Sequence, residues 1–225
     1  MIARTTSGRG ETVRIVERAN GRQGDLALRA VGNHYEIISN GVFLMDTRNG
    51  ESERLLARLA LRDGNARAHL LIGGLGVGFS LAEALRSDWL ERATVVEIEP
   101  KIVEWSRTHL AHCSDSALSD PRVRVVVADL SAWLGKVQEM FDGICLDVDN
   151  GPAWTVTERN GALYTDDGLA LLRRRLKPGG ILAIWSAMEV DGFAERLESV
   201  FGPVEIVRVP VSRGEPDIIY AAPRD

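Results

Sequence analysis

The sequence predicts an α/β fold, a mostly parallel sheet covered by helices and finished by one antiparallel strand, preceded by a small antiparallel β-hairpin unit. Three observations predict it. From residue 51 onward, short continuous apolar runs alternate with helical patterns, as expected for a parallel sheet covered on both faces. Residues 12 to 46 instead hold β-branched runs broken by turn residues, with no helical period. Finally, the last two strand-like runs, VEIVRVPV and DIIYAAP, are separated only by SRGEP, which suffices for a hairpin but not for a parallel crossover.

In chain order, VRIVER, DLALRAV, HYEIIS and VFLMD read as strands, with a turn at Asn40-Gly41. The segment SERLLARLAL then has leucines at three- and four-residue spacing, so a helix begins and a boundary is expected near residue 50. This gives a hairpin domain over 1–50 and a larger domain over 51–225. Within the larger unit, AHLLIG, ATVVEIE, RVRVVVAD, FDGICLDV and GGILAIWS are the expected parallel strands. The intervening helices are GFSLAEALRS, PKIVEWSRTHLA, LSAWLGKVQEM and DDGLALLRRRL, and FAERLESVF precedes the terminal hairpin.

Composition narrows the function classes. With 45% hydrophobic and 26% charged residues the chain is globular in character, and no apolar stretch approaches the roughly 20 residues a membrane span needs. A cytoplasmic protein is expected, without a secretory leader in MIARTTSGRG and without a membrane partner. The net charge of -5 argues against nucleic acid, which is held mainly by Lys and Arg. Cys113 and Cys145 are the only cysteines, and Cys145 lies in an apolar run, so neither a disulfide nor a cysteine metal site is expected. His109 and His112 have no acidic or cysteine partner at a ligand-like spacing, so no metal is expected either.

The chemistry begins after AHLLIG, at Gly73-Gly74-Leu75-Gly76-Val77-Gly78, with a helix immediately following. Gly73, Gly74, Gly76 and Gly78 let the backbone turn sharply and approach a ligand, and in an open α/β sheet ligands sit over the C-terminal strand ends. The next strand ends in Glu97 and Glu99, of which Glu97 is the stronger candidate for a ribose diol. The third ends in Asp129, which either accepts from an exocyclic adenine amine or caps the helix after it. Together these residues describe a site for one nucleoside.

The fourth strand delivers Asp147 to the same edge, and Asp149, Asn150, Gly151 and Pro152 follow in a turn. A long connection with little periodicity carries Trp154 and Tyr164, the pattern of a functional loop. Asp147 and Asp149 are the expected catalytic carboxylates; Asn150, Trp154 and Tyr164 are expected at the substrate. A carboxylate at Asp147 attracts a cationic substrate, orients an attacking amine and accepts its proton. Trp105, Trp133 and Trp185 lie in apolar patterns and are expected in the core.

The segments LLIGGLGVG, VVEIEP, DPRVRVVVAD, FDGICLDVDNGP, ALYTDDGLALLRRRLKPGGILAIWS and, more loosely, ISNGVFLMDT occur in an order that resembles the spermidine-synthase family of polyamine aminopropyltransferases and its methyltransferase-like relatives. The resemblance implies a Rossmann-like class I methyltransferase fold with an N-terminal β-domain, ribose contact by Glu97, adenine contact by Asp129, a catalytic Asp147 and a homodimer. Exposed edges of the N-terminal hairpins support the same dimer expectation.

Four departures from the family pattern bear on substrate. Gly76 stands where polyamine synthases usually carry an Asp in the glycine loop. Phe43 stands in place of a Gln, Ser52 and Glu53 in place of a Tyr-His pair, and Asn150 in place of an Asp. An Asp in the loop would hold the ammonium of decarboxylated S-adenosylmethionine and repel the carboxylate of the intact molecule. Its absence leads to the expectation of intact S-adenosylmethionine and methyl transfer to a small nucleophile such as an amine. The alternative is a divergent aminopropyltransferase using decarboxylated S-adenosylmethionine; an NAD-dependent oxidoreductase and a non-catalytic nucleoside-binding module are weaker alternatives.

Overall fold

The computed structural model describes residues 4–6, 12–62, 67–148, 150–152, 158–211 and 214–225. Two sheets organise them. The first is an antiparallel meander of β1 (Arg4–Thr6), β2 (Thr12–Asn20), β3 (Asp25–Val31), β4 (His34–Ser39) and β5 (Val42–Asp46), paired in that order. The Asn40-Gly41 turn between β4 and β5 forms as expected, with both residues at positive φ, 48° and 80°. One face of this meander is apolar, and its Leu26, Leu28 and Ile37 share a core with residues of the second sheet and its helices.

Helix α1 (Glu51–Ala60) follows, with Leu56, Ala57, Leu59 and Ala60 buried on one face. The second sheet then alternates with helices: β6 (Ala68–Gly73), α2 (Phe79–Leu85), β7 (Leu90–Glu97), α3 (Pro100–Arg107), β8 (Val123–Val127), α4 (Leu130–Lys136) and β9 (Phe141–Leu146). After α5 (Glu158–Gly161) come α6 (Asp166–Arg175), β10 (Leu176–Ser186), α7 (Phe193–Phe201), β11 (Glu205–Val209) and β12 (Asp217–Pro223). The order across the seven-stranded sheet is β11-β12-β10-β9-β6-β7-β8. Strands β10, β9, β6, β7 and β8 are mutually parallel, whereas β12 is antiparallel to both β10 and β11. The expected α/β architecture is therefore present, and the antiparallel strand, last in sequence, is next to last in space.

Helix boundaries differ from the sequence pattern at two places. The expected helix over 100–111 ends at Arg107, because Thr108 leaves helical geometry at φ -121°, ψ -92° and a 3-10 turn takes over at Ala111–Ser114. The expected helix over 130–140 ends at Lys136, where Val137 turns extended at ψ 153°; Gly135 just before it weakens the last turn. In α6 the local signals agree with one another. Thr165 caps its start by accepting from the Gly168 amide, Asp166 and Asp167 lie in the first turn, and three arginines lie in the last, complementing the helix dipole. Among the described residues no helix is long and apolar enough to cross a membrane.

The two sheets are held in register by carboxylates. Glu99, at the start of α3, accepts the backbone N–H groups of Arg22 and Gln23 from the β2–β3 turn, each at 2.7 Å. Glu17 on β2 accepts from Trp105 Nε1 at 2.8 Å and from Lys101 Nζ at 3.1 Å on α3. Glu99 is only 3% exposed, so its loss leaves two amides without their acceptor. Glu99→Ala is expected to destabilise the fold by about 2 to 4 kcal/mol. Urea unfolding measures it; an unchanged midpoint would show that the clamp contributes nothing.

Candidate active site

A cavity of about 940 Å³ lies over the C-terminal ends of the parallel strands, the position ligands take in open α/β sheets. Gly74, Gly76, Glu97 and Asp147 line it from the second sheet, Phe43 and Met45 from the first, and Glu53 from α1.

The glycine loop is shaped by close approach. Gly74 has φ 88°, and a Cβ there would stand 2.0 Å from the carbonyl oxygen of Asp147; Gly76 has φ 51°, and a Cβ would stand 2.2 Å from Met45 Sδ. Of the four expected ligand-binding glycines, Gly74 and Gly76 face the cavity. Gly73 packs between Leu130 and Leu146, and Gly78, at φ 95°, starts α2, so these two form the loop without lining the cavity. Several loop amides are used internally: Leu75 N–H donates to Glu97 Oε2 at 2.9 Å, Gly78 N–H to the Leu75 carbonyl at 2.8 Å, and Val77 N–H to Met45 Sδ at 3.1 Å.

Glu97 is 6% exposed, and its other oxygen accepts the Glu99 amide at 2.8 Å. Burial pushes its carboxyl above the ordinary value, while the amides of Glu99 and Leu75 pull it down. Each carboxylate oxygen has two lone pairs, so both retain capacity for ribose hydroxyls after accepting one amide apiece. Glu99 also borders the cavity, but its two oxygens are engaged with the β2–β3 turn.

Two expected contact residues do not line the cavity. Asp129 caps α4, its Oδ1 accepting the Ala132 amide at 2.8 Å, and the cavity wall is made instead by its neighbours Ala128 and Leu130. The β8 strand ends at Val127, so Asp129 falls at the helix start, where one of its carboxylate oxygens accepts an orphan amide. Tyr164 is 3% exposed and lies in the core, edge-on to Phe193, with its hydroxyl donating to the Val148 carbonyl at 3.3 Å. It supports the chain just after Asp147 and does not line the cavity. Asn150 does line it. Asp149 and Trp154 lie outside the described residues. Trp185, expected in the core, is half-buried and borders the cavity.

Asp147 is the electrostatic centre. It is half-buried at the cavity wall, and among the described residues no donor hydrogen-bonds its carboxylate. Burial pushes it well above the ordinary carboxylate range, and the negative charges of Glu53, Asp217 and Glu97 push it further. Glu53 is likewise raised, first by burial and then by Asp217, against the opposing hydrogen bond from Ser52. Ser52 Oγ lies 2.7 Å from Asp217 Oδ2 and 3.1 Å from Glu53 Oε2. Sequence reasoning singled out Ser52 and Glu53 only as departures from a family pattern and missed Asp217 altogether. Gln23 and Asn160, also in the wall, were missed as well.

Comparison with known proteins gives the site a family. A profile of the spermine/spermidine synthase domain matches residues 50–189, which is more than half of the chain. The chain belongs to the spermine/spermidine synthase family. Polyamine aminopropyltransferase 2 of Pseudomonas aeruginosa is 33% identical over 171 residues, covering 71% of this chain and 46% of that protein. Polyamine aminopropyltransferase of Mycobacterium tuberculosis is 34% identical over 128 residues, covering 56% of this chain and 23% of that protein. The match thus spans less than half the length of either relative. In fold, the chain is similar to a spermidine synthase solved in complex with the transition state analogue AdoDATO, with TM-score 0.80 at 19% identity over 94% of this chain and 74% of that one. It is equally similar to spermidine synthase from Thermotoga maritima, with TM-score 0.79 at 17% identity over 100% of this chain and 80% of that one.

These relatives overturn the expectation of a methyltransferase using intact S-adenosylmethionine, since those at 33% and 34% identity are named polyamine aminopropyltransferases. The physical argument for methyl transfer fails at the same point. It took the missing loop carboxylate at Gly76 to mean a site free of repulsion for the donor's carboxylate, whereas Glu53, Asp147 and Asp217 supply negative charge from other elements of this spermidine synthase-like site.

The acidic cluster also sets a pH dependence for the empty protein. The folded-state pKa values of Asp147, Glu53 and Glu97 are raised above their unfolded values. A raised pKa means the folded state binds more protons, so this contribution to stability is full below the ordinary carboxylate range and is lost as pH rises through the raised values. Asp147→Asn is expected to raise the melting temperature at pH 7.5 and to flatten its fall between pH 5 and pH 8. A calorimetric melting series without ligand checks it; a variant less stable than the parent at pH 7.5 would contradict the electrostatic account.

Proposed function

We propose that this protein transfers the aminopropyl group of decarboxylated S-adenosylmethionine to an amine acceptor of the polyamine type. The observation that carries the reading is the half-buried Asp147 carboxylate, without a hydrogen-bond donor among the described residues and surrounded by further carboxylates at the cavity wall. An uncompensated buried charge is costly, and a cationic substrate compensates it. At an effective dielectric near 20, two unit charges about 6 Å apart interact by about 3 kcal/mol, so a donor carboxylate among Glu53, Asp147 and Asp217 is disfavoured and an ammonium is favoured. The names of the relatives support the same reading.

In this reading Glu97 accepts hydrogen bonds from the ribose hydroxyls, and Gly74 and Gly76 let the donor approach the backbone. The donor's sulfonium supplies the leaving group. A bond forms between the acceptor nitrogen and the methylene carbon next to sulfur as the carbon–sulfur bond breaks, its electron pair going to sulfur to leave methylthioadenosine. The nitrogen must then lose one proton, and Asp147 is placed to orient the amine and to receive it. Because the displacement needs alignment above all, positioning contributes most of the acceleration.

Purified protein given decarboxylated S-adenosylmethionine and 1,4-diaminobutane is expected to release methylthioadenosine with a matching aminopropylated product by mass spectrometry. Asp147→Asn is expected to lower kcat by about 10²- to 10⁴-fold, the usual range for a positioned acid–base group. A methylated amine formed from intact S-adenosylmethionine, with no methylthioadenosine from the decarboxylated donor, would sink the proposal.

A further inference from the structure

Met45 joins the two sheets at the glycine loop. Its strand, β5, lies at the end of the first sheet and pairs with β4 alone. Met45 stands opposite Ile37 and Phe43 opposite Ile38, so Leu44 is an extra residue with no cross-strand partner. A bulge of this kind re-aims the side chains beside it, and here Met45 reaches the loop after β6. The Val77 N–H donates to its Sδ at 3.1 Å, and a Cβ at Gly76 would stand 2.2 Å from Sδ and 2.8 Å from the terminal methyl. The sulfur therefore packs against the glycine Cα with no space to spare on that side.

The other side of Met45 is open. The residue is half-buried and lines the cavity, whose wall also includes the exposed Phe43, so a small solute entering the cavity reaches the sulfur. A thioether is oxidised by a hydroperoxide without first losing a proton, whereas a thiol reacts as its thiolate. Both cysteines are guarded by that difference, because burial pushes the Cys113 and Cys145 thiols up. Met140 and Met188 are exposed as well, but neither lines the cavity.

In the oxidation the sulfur gives an electron pair to the terminal oxygen of the hydroperoxide. A sulfur–oxygen bond forms, the oxygen–oxygen bond breaks, and the proton on the transferred oxygen passes to the departing one, which leaves as water or an alcohol. Sulfur loses two electrons and the peroxide gains two. The sulfoxide is polar and one heavy atom larger. Placing its oxygen between the sulfur and the Val77 N–H, at about 2.9 Å from the nitrogen, moves the sulfur back from the loop. Placing it elsewhere puts a strong dipole into the cavity wall beside Gly76. A displacement of about 1 Å in a positioning element costs on the order of 10² in rate.

We propose that Met45 is an oxidation site through which hydroperoxides switch off the ligand site: its sulfoxide releases the glycine loop, and a dithiol-driven reductase restores it. The switch rests on the aminopropyl-transfer reading only for the identity of the ligand. Protein is treated with hydrogen peroxide, and sulfoxide at Met45, Met140 and Met188 is quantified by peptide mass spectrometry. Hydrogen exchange of the peptide spanning residues 73–78 and affinity for methylthioadenosine are measured on the same samples. In the parent, loop exchange is expected to rise and affinity to fall about tenfold, the scale of one hydrogen bond at the loop, in step with sulfoxide at Met45. Both are expected to return on treatment with a methionine sulfoxide reductase and a dithiol.

Met45→Leu removes the sulfur at nearly constant volume. Its loop is expected to exchange faster from the start, and peroxide to change neither reading. Met140→Leu and Met188→Leu are expected to respond as the parent does. A Met45 that stays reduced while Met140 and Met188 are converted overturns the proposal, and so does a sulfoxide at Met45 that leaves the loop exchange or a measurable affinity unchanged. Neither outcome depends on a variant. A peroxide response that persists in Met45→Leu overturns it too. A parent that binds no methylthioadenosine strikes the proposed reaction instead, and the loop exchange alone then decides the switch.

Discussion

The site depends on one buried carboxylate. Glu97 holds the Leu75 amide with one oxygen and the Glu99 amide with the other, and so ties the glycine loop after β6 to the start of the chain after β7. Two residues on, Glu99 holds the turn between β2 and β3. A single strand end therefore fixes both the floor of the cavity and part of its roof. Neutral side chains of similar shape would make weaker bonds here, because hydrogen bonds to an ionised acceptor are roughly twice as strong as neutral ones. The cost is desolvation, visible in the raised pKa of Glu97.

Charge has been distributed differently from what the loop alone implies. At Gly76 the space a side chain would need is filled by Met45 from β5, whose sulfur also accepts the Val77 amide. The N-terminal sheet thus closes the loop to a carboxylate, and negative charge enters from α1 and β12 instead. Both deliveries follow from topology. Helix α1 starts above the sheet edge, and the reversal of β12 brings Asp217 to the same side as Asp147.

Much of this was legible in the sequence, and the failures have specific causes. The apolar runs of β6, β7 and β9 are buried throughout or nearly so, which is why periodicity found them, and the short segment SRGEP between the last two strand-like runs correctly announced an antiparallel partner. Glu97 and Asp147 stand where the strand-end rule places them. Asp129 had two readings because strand end and helix start are adjacent there, and the structure shows the capping one. Tyr164 was misassigned because an aromatic residue in an unpatterned segment gives no signal of burial. Asp217 was invisible for a different reason: it is far in sequence from Ser52 and Glu53, and only folding brings the three together.

The absence of a basic partner for Glu53 and Asp217 among the described residues is itself part of the design logic. A lysine or arginine placed there would relieve the repulsion, but it would fill part of the cavity that these carboxylates line. Glu53 instead lies in the first turn of α1, where the helix dipole favours negative charge without filling any volume. Burial opposes this, and the net result is a carboxyl whose pKa is raised even though it accepts a hydrogen bond from Ser52. Such a group holds its proton more tightly than an exposed carboxyl does. Glu53, Glu97 and Asp147, whose pKa values the fold raises, therefore cost the empty protein stability above the ordinary carboxylate range, and that strain is confined to the cavity wall.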